Sequence, residues 1–383
     1  MIKVYLKKAE EYELELLKVF VRETFVELKL DFKNNASVLV KPNFLLAKSA
    51  DSCVITNPIL IRAVLEVLIE MKLKPFIYEI PSMGSVDIAA KKSGVYDICK
   101  ELGVEIKPYG EFVVFSNDSN VHYKKLAFPK ELENADYVVN LPKLKTHSLM
   151  GLTMGMKNVF GLVKPEYRGQ MHFKTGKDRE MFANMLVDVY NFVEPDLTII
   201  DGIIGMEGNG PSNGDARKFG FLGASTNAFA LDTEIAKILK VEFEKVPLLK
   251  VSKERYGNIE YEVVGDMIEV DEAVKFPSSF STNVSGTLAN FMYPFFRKFV
   301  QARPIVNRDK CIACLNCKNI CPAKAISVQK GKAWIDDDVC IKCFCCHEVC
   351  PINAIKINKP YIGRLLERRF NKGLRDERDK KPE

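Results

Sequence analysis

Residues 311–322 read Cys-Ile-Ala-Cys-Leu-Asn-Cys-Lys-Asn-Ile-Cys-Pro, and residues 340–351 read Cys-Ile-Lys-Cys-Phe-Cys-Cys-His-Glu-Val-Cys-Pro. Both stretches share one spacing: three cysteines with two residues between neighbours, then a fourth after three more residues, directly before proline. The similarity continues past the cysteines, since Ala325-Ile326 recurs as Ala354-Ile355. The chain therefore contains a duplicated unit that uses eight of its 11 cysteines.

This spacing is that of the cluster ligands in bacterial two-cluster ferredoxins. Two-residue gaps let one tight loop reach three iron atoms, and the fourth cysteine points to the other cluster. Structural zinc is the alternative, but zinc requires neither the third cysteine nor the duplicated Cys-Pro. The sequence predicts two [4Fe–4S] clusters, one held by Cys311, Cys314, Cys317 and Cys350 and the other by Cys340, Cys343, Cys346 and Cys321.

The other three cysteines are Cys53, Cys99 and Cys345. Cys345 is out of register with the repeat and is predicted to lie beside a cluster, while Cys53 and Cys99 are predicted to be buried small hydrophobes. Free thiols without a disulfide framework indicate a reducing compartment. Because we find neither a signal peptide nor an apolar stretch of membrane-spanning length, we expect a cytoplasmic protein without a membrane span.

Composition sets the outer limits of the interpretation. With 383 residues, 47% of them hydrophobic, the chain is long enough for one large or two medium domains plus a small module. The net charge of +6 is modest for this length. It favours an acidic electron donor or acceptor protein, or an anionic small molecule, and does not indicate nucleic acid.

Strand-like and helix-like segments alternate up to about residue 232. This pattern predicts an α/β fold, with a mostly parallel sheet covered by helices on both faces. A short strand is predicted at residues 228–231 and a small antiparallel lobe at residues 240–276. The predicted organisation is an α/β domain (1–285), an aromatic connecting helix or linker (286–302), a small α+β ferredoxin-type module (303–360) and a charged tail (361–383).

Polar segments follow several of the predicted strands. In parallel sheets, ligands bind beyond the carboxyl ends of the strands. Lysines, amides and glycine-rich backbone at such an edge suit a phosphate or carboxylate, although the same residues are also typical of ordinary strand ends. The predicted anion-binding residues are Lys41, Asn43, Lys143, Lys145, Thr146, Lys157, Asn158, Asp201 and Asn209.

Proton transfer needs a titratable group in the same cleft. His147 is the first candidate because imidazole titrates near neutral pH, and Glu207 is the second. The glycine-rich run after Asp201 matches neither the dinucleotide-binding pattern nor the phosphate-binding loop of nucleotide hydrolases. Whether the cleft holds a further cofactor is left open by the sequence.

Three motifs resemble a known family. Pro142-Lys-Leu-Lys-Thr-His, Lys157-Asn-Val-Phe-Gly and Asp201-Gly, continuing to Met206-Glu-Gly-Asn-Gly-Pro, are similar to segments of the iron–sulfur proteins called domain of unknown function 362. The resemblance covers roughly residues 1–240, and many members carry a C-terminal two-cluster module. It implies an α/β fold with a cleft lined by these motifs, and it supplies no reaction.

Three functions are compatible with these patterns. The first is an iron–sulfur oxidoreductase, in which two clusters relay electrons to an anionic substrate or cofactor in the cleft. The second is an electron-transfer subunit or docking module without catalytic activity of its own. In the third, the clusters are structural or sense oxygen. The first hypothesis predicts that one cluster site lies beside the cleft.

Overall fold

The computed structural model describes residues 1–176, 178–277 and 302–358. Almost all of the predicted connecting segment (286–302) and the whole predicted tail (361–383) lie outside the described residues. Those two predictions, and the domain boundaries that depend on them, stay predictions.

Sixteen strands and twelve α-helices make up the described part of the chain. The strands are β1 Ile2–Lys8, β2 Ser37–Pro42, β3 Lys74–Ile77, β4 Glu105–Ile106, β5 Phe112–Ser116, β6 Lys125–Pro129, β7 Tyr137–Leu141, β8 Lys143–His147, β9 Gly151–Thr153, β10 Leu197–Glu207, β11 Asp215–Ser225, β12 Tyr261–Gly265, β13 Arg303–Val306, β14 Ile326–Gln329, β15 Lys332–Ile335 and β16 Ile355–Asn358. The helices are α1 Leu14–Glu27, α2 Pro58–Glu70, α3 Val86–Ser93, α4 Val95–Leu102, α5 Lys130–Glu133, α6 Gly155–Asn158, α7 Pro165–Thr175, α8 Arg179–Val193, α9 Ala228–Ile238, α10 Pro247–Tyr256, α11 Asn316–Ile320 and α12 Cys345–Glu348.

One large sheet organises the α/β domain. Its order is β12-β1-β11-β10-β7-β2-β3-β4, with β8 beside β10 and β9 beside β8. The central pairs β10–β7, β7–β2 and β2–β3 are parallel, and β11 runs antiparallel to both of its neighbours. The predicted fold class, a mostly parallel α/β sheet with a small C-terminal α+β module, is confirmed.

Side chains that alternate along the central strands separate two hydrophobic cores. In β2, Val38 and Val40 belong to one core and Leu39 belongs to the other. Helices α1 to α4 contribute to the first core, and α7 to α10 contribute to the second. Because strands with helices on both faces are buried on both faces, they are apolar almost throughout rather than alternating with polar residues.

Two local predictions are wrong. Residues 228–231 begin α9 rather than a strand, because the Asn227 side chain accepts a hydrogen bond from the Ala230 N–H and caps a buried helix. Residues 240–276 form α10 and then β12, which pairs in parallel with β1 at the edge of the main sheet. The predicted antiparallel lobe therefore does not exist, since the partner of β12 is distant in sequence.

The C-terminal module consists of two antiparallel strand pairs, β13–β16 and β14–β15, with a short helix inside each cysteine repeat. It contacts the α/β domain through the second loop, where Asn213 Nδ2 donates a hydrogen bond to the His347 carbonyl (2.8 Å). Within the described residues, no helix is both long and apolar enough to cross a bilayer.

Candidate functional site

The eight cysteines of the repeat line two small cavities in the module. Cys311, Cys314, Cys317 and Cys350 lie around one. Cys321, Cys340, Cys343 and Cys346 lie around the other. Each cavity thus takes its fourth cysteine from the other copy of the repeat, which is the crossed arrangement that the spacing predicts. We call these two sets the first quartet and the second quartet.

Backbone N–H groups donate hydrogen bonds to sulfur atoms of both quartets, and such donors stabilise negative charge on sulfur. Two N–H groups donate to thiols of each quartet: Ala354 to Cys350 (3.1 Å) and Ala333 to Cys311 (3.5 Å), and Ala325 to Cys321 (3.3 Å) and Lys342 to Cys340 (3.4 Å). Four thiols around one space, with N–H groups directed at the sulfurs, fit the demands of an iron–sulfur cluster.

A larger cavity of about 360 Å³ lies between the sheet and the second quartet. Its sheet side is formed by residues beyond the carboxyl ends of the strands, where ligands bind in parallel α/β folds. Its module side includes Cys321, a member of the second quartet, together with Cys345 and Glu348. The polar side chains on the sheet side are Lys41, Asn43, Glu79, Ser82, Lys145, His147, Thr153, Lys157, Asn158, Glu166, Arg168 and His172.

Lys41 and Glu79 form a buried ion pair in the cavity wall. Their side chains are 0% and 5% exposed, and Lys41 Nζ lies 2.8 Å from Glu79 Oε2. Gly161 packs directly on this pair, since an added Cβ would lie 2.6 Å from Glu79 Oε1. The glycine in the Lys157-Asn-Val-Phe-Gly motif is therefore required by close packing against a charged pair.

Two amides fix the neighbouring part of the wall. Asn43 Nδ2 donates to Asn158 Oδ1 (2.7 Å), and Asn158 Nδ2 donates to Asn140 Oδ1 (2.8 Å). Asn43 Oδ1 accepts from Lys145 Nζ (2.7 Å), which also donates to the Val54 carbonyl (2.7 Å). This network holds the Lys145 ammonium group through neutral acceptors.

Three cations of the wall lack a carboxylate partner in the described part of the chain: Lys145, Lys157 and Arg168. Arg168 donates to the Ile80 carbonyl (3.0 Å), and Lys157 Nζ lies 5.8 Å from the centre of the Phe160 ring. Burial lowers the pKa of Lys145 well below its usual value, and the neighbouring Lys157 lowers it further. Burial also lowers the pKa of Lys157. Positive charge is therefore costly here unless an anion compensates for it.

His147 faces the module across the cavity. Its Nδ1 accepts hydrogen bonds from the N–H groups of Leu149 (3.1 Å) and Met150 (3.2 Å), so the ring carries its proton on Nε2. That atom lies 3.6 Å from Oε1 of Glu348. Burial, followed by the charge of Lys157, lowers the pKa of His147 well below its usual value, whereas burial raises the pKa of Glu348 to about 7.

Several sequence-predicted residues lie outside the cavity wall. Lys143 Nζ is 2.8 Å from Asp201 Oδ2 in a buried ion pair, and both side chains contact the Tyr12 hydroxyl. This ion pair joins β8 to β10, and each of its two charges already has its partner within the protein. Thr146 Oγ1 donates to the Gly208 carbonyl (2.9 Å), which fixes the glycine-rich loop in which Asn209 lies.

Glu207, predicted as a proton-transfer group, also lies outside the cavity wall. It pairs with Arg217 (2.8 Å) and Lys275 (3.2 Å). Burial alone would raise its pKa, but the hydrogen bonds from Arg217 and Lys275 outweigh that effect and lower it. This geometry suits a structural carboxylate, and we do not carry Glu207 forward as a catalytic residue.

Five titratable side chains of the wall were missed by the sequence reasoning: Glu79, Glu166, Arg168, His172 and Glu348. Glu79 follows β3 and could have been found as another polar residue after a parallel strand. Glu348 lies between two cysteines of the repeat, and only the docking of the module turns it into the cavity. His172 lies in α7, where Phe160 and Phe182 contact its ring, and its Nδ1 is buried with no hydrogen-bond partner among the described residues.

Comparison with known proteins identifies both parts of the chain. Residues 38–237 match the family described as Domain of unknown function (DUF362), and residues 303–351 match a 4Fe-4S dicluster domain. The chain is 38% identical over 222 residues to the thylakoid-associated protein sll1697 of Synechocystis sp., covering 57% of this chain and 68% of that protein. The chain therefore belongs to the domain of unknown function 362 family, and it carries an iron–sulfur electron-transfer module.

A solved structure is also similar to this chain. It is the lactate racemase apoprotein from Thermoanaerobacterium thermosaccharolyticum, with a TM-score of 0.40 and 10% sequence identity. The match covers 62% of this chain and 56% of that structure, which is less than two thirds of its length.

Proposed function

We propose that this member of the domain of unknown function 362 family is an iron–sulfur oxidoreductase that exchanges electrons with an anionic small molecule bound in the cavity. The two quartets would hold one [4Fe–4S] cluster each. Clusters of this type supply electrons one at a time when bound.

The observation that carries this proposal is a shared wall. Cys321 lines both the cavity of the second quartet and the larger cavity, and Cys345 does the same. A molecule in the larger cavity would therefore be separated from the second quartet by no more than these side chains. This proximity is what the oxidoreductase hypothesis requires of the fold.

The charge of the wall supports an anion as the ligand. Lys145, Lys157 and Arg168 present positive charge that no carboxylate of the described residues neutralises within ion-pair distance. A bound carboxylate or phosphate would offset the free-energy cost of burying these positive charges. The volume of about 360 Å³ is that of a site for a small organic molecule.

Two groups of the wall are placed to contact this ligand, His147 as a hydrogen-bond donor and Glu348 as the group that exchanges a proton. His147 presents an N–H at Nε2, and the Glu348 carboxyl group lies next to it on the opposite wall. Glu348 replaces Glu207 as the acidic group of the site in this proposal. His147 acts as a neutral hydrogen-bond donor, because the two backbone N–H groups that donate to its Nδ1 keep that atom unprotonated.

Anaerobic purification tests the proposal directly. Iron and sulfide are counted, and mass spectrometry identifies any small molecule that the protein releases on denaturation. We expect about eight irons per chain, and a bound organic anion or the uptake of oxalate or phosphate detected by calorimetry. Lys157→Met should weaken anion binding roughly 10- to 100-fold, the loss expected for a buried charge-assisted contact.

Lys124→Met is the matched control, because Lys124 is exposed on the α/β domain and does not line the cavity. It should leave anion affinity unchanged. A protein with eight irons whose cavity binds no anion under any condition would contradict the oxidoreductase proposal. That result would favour the alternative, an electron-transfer subunit or docking module without its own catalytic activity.

A further inference from the structure

The surface around the first quartet is apolar at its centre. Cys314 is exposed, although most thiols of the repeat are buried or half-buried. The side chains that line the same cavity include four exposed apolar residues: Ile312 (62%), Leu315 (39%), Val328 (42%) and Ile352 (37%). No residue that lines the cavity of the second quartet is classed as exposed.

Basic residues surround this apolar centre. Between residues 308 and 332 there are six basic residues and one acidic residue. Lys310, Lys318 and Lys330 are exposed, and none of them forms an ion pair with another described residue. Arg308 donates to the Gln329 carbonyl (3.0 Å) and Lys332 donates to the Cys311 carbonyl (2.6 Å), so the β14–β15 turn that bears Lys330 lies against the first cysteine loop.

We propose that this face docks an acidic one-electron carrier protein. We call it the docking face and define it by Ile312, Leu315, Val328 and Ile352 with Lys310, Lys318 and Lys330. The inference rests on the proposed function in one respect, because electrons pass here only if the first quartet holds a cluster. One electron would move between the carrier's redox centre and that cluster, whereas the larger cavity borders the second quartet.

A carrier protein explains both features of the face. Unpaired lysines attract an acidic partner over a distance and orient it, which raises the rate of encounter. A small apolar centre then allows close contact at the exposed thiol without holding the partner permanently. Transient electron-transfer complexes use small interfaces of this type, in contrast to stable dimers.

The test measures the affinity of the cluster-loaded, full-length protein for an acidic plant-type [2Fe–2S] ferredoxin by calorimetry. The triple variant Lys310→Glu, Lys318→Glu, Lys330→Glu should bind roughly 100-fold more weakly at low ionic strength. The difference should shrink in about 0.5 M salt, where the screening length falls to about 4 Å. The rate of electron transfer from the reduced ferredoxin should fall with the affinity, whereas reduction by dithionite should not change.

Two further variants keep the result interpretable. Lys124→Glu makes one such charge reversal on the α/β domain and should leave the affinity as in the wild type. A triple Lys→Gln variant should lose about half as much binding free energy as the triple Lys→Glu variant, since it changes half the charge. A loss that does not scale with charge in this way would indicate misfolding and would overturn the electrostatic assignment.

Other occupants give different results. Equal ferredoxin affinity for the wild type and the triple variant would overturn the proposal. It would also be overturned if phosphatidylglycerol vesicles bound with the same dependence on the lysines while ferredoxin did not, or if the face proved to mediate dimers that the triple variant abolishes. Iron content is read separately on each sample, because low iron contradicts the proposed clusters and leaves the affinity test of the face intact.

Discussion

The two cysteine quartets come from one duplicated sequence, yet they lie in different surroundings. The first has an exposed thiol, Cys314, within a rim of exposed apolar and basic side chains. The second lies inward, and its Cys321 forms part of the wall of the large cavity. The spacing of the cysteines determines what each quartet can bind. The contacts of the module determine which quartet lies at an exposed surface and which lies beside the large cavity.

The two copies of the repeat also differ in charge. Residues 308–332 are strongly basic, whereas residues 333–351 contain Lys342 and four acidic residues. Three of these acids are consecutive, Asp336 to Asp338, and Asp337 pairs with Lys342 (3.1 Å) and Arg303 (3.2 Å). A carrier that prefers positive charge would therefore be directed to the first copy. If the two proposals hold, the module has a direction: the first quartet would exchange electrons with a protein, and the second would serve the cavity.

The largest expected effect is the loss of a whole cluster. Cys321→Ala should remove the cluster of the second quartet, although Cys321 belongs to the first copy of the repeat, and Cys350→Ala should remove the cluster of the first quartet. Each variant should fall from about eight to about four irons per chain. Iron analysis, with electron paramagnetic resonance of the reduced samples, measures this.

Pairs of variants provide the control for the crossed assignment. Cys321→Ala and Cys343→Ala should leave the same residual spectrum, that of the first quartet. Cys350→Ala and Cys311→Ala should share the other. If Cys321→Ala instead matched Cys311→Ala, each copy would hold its own cluster and the two quartets would have to be redrawn.

A smaller effect is expected in how fast the two clusters are lost. Because the first quartet has an exposed thiol, Cys314, and the second quartet has none, an iron chelator should remove iron in two phases. The fast phase should belong to the first quartet and exceed the slow phase by on the order of 10-fold, since reactivity at cysteine sites follows exposure. Absorbance at the cluster bands follows both phases, and Cys350→Ala should lack the fast phase. A single phase for the wild type would mean that the chelator reaches both cluster sites equally well.

Much of this arrangement could be predicted from local patterns. The cysteine spacing identifies the two quartets, because cluster geometry fixes the number of residues between ligands. The α/β sheet follows from alternating strands and helices, and the position of Lys41, Lys145, Lys157 and Asn158 follows from the rule for the carboxyl ends of parallel strands. Each of these inferences depends on residues that are close in sequence or on a general property of the fold.

The remainder depends on contacts between distant segments. Lys143 and Lys145 are two residues apart on one strand, yet Lys143 is neutralised by Asp201 while Lys145 meets only neutral acceptors. Glu348 and His147 are about 200 residues apart and meet only because the module packs on the sheet. The failed assignments at residues 228–231 and 240–276 have the same origin, since an apolar run fits a buried helix or an edge strand until its partner is known.

The smallest effect concerns His172, which lines the large cavity and has no counterpart at the docking face. Burial, together with the charges of Lys157 and Arg168, lowers the pKa of His172 to about 3 from its ordinary value of 6.5. The folded protein keeps this ring neutral, whereas the unfolded chain takes up a proton below about pH 6.5. The stability that depends on a neutral His172 ring is therefore fully present above that pH. It is lost as the pH falls towards 3.

His172→Phe removes this dependence and keeps an aromatic ring between Phe160 and Phe182. Between pH 7 and pH 5, the free energy of unfolding of the wild type should fall relative to the variant by about 2 kcal/mol. Denaturant unfolding followed by far-ultraviolet circular dichroism measures the difference at each pH. Phe160→Leu changes the same packing without a titratable group, so its profile should stay parallel to the wild type. Parallel profiles for His172→Phe would mean that water reaches the imidazole in the cavity wall and that its pKa is not lowered by burial.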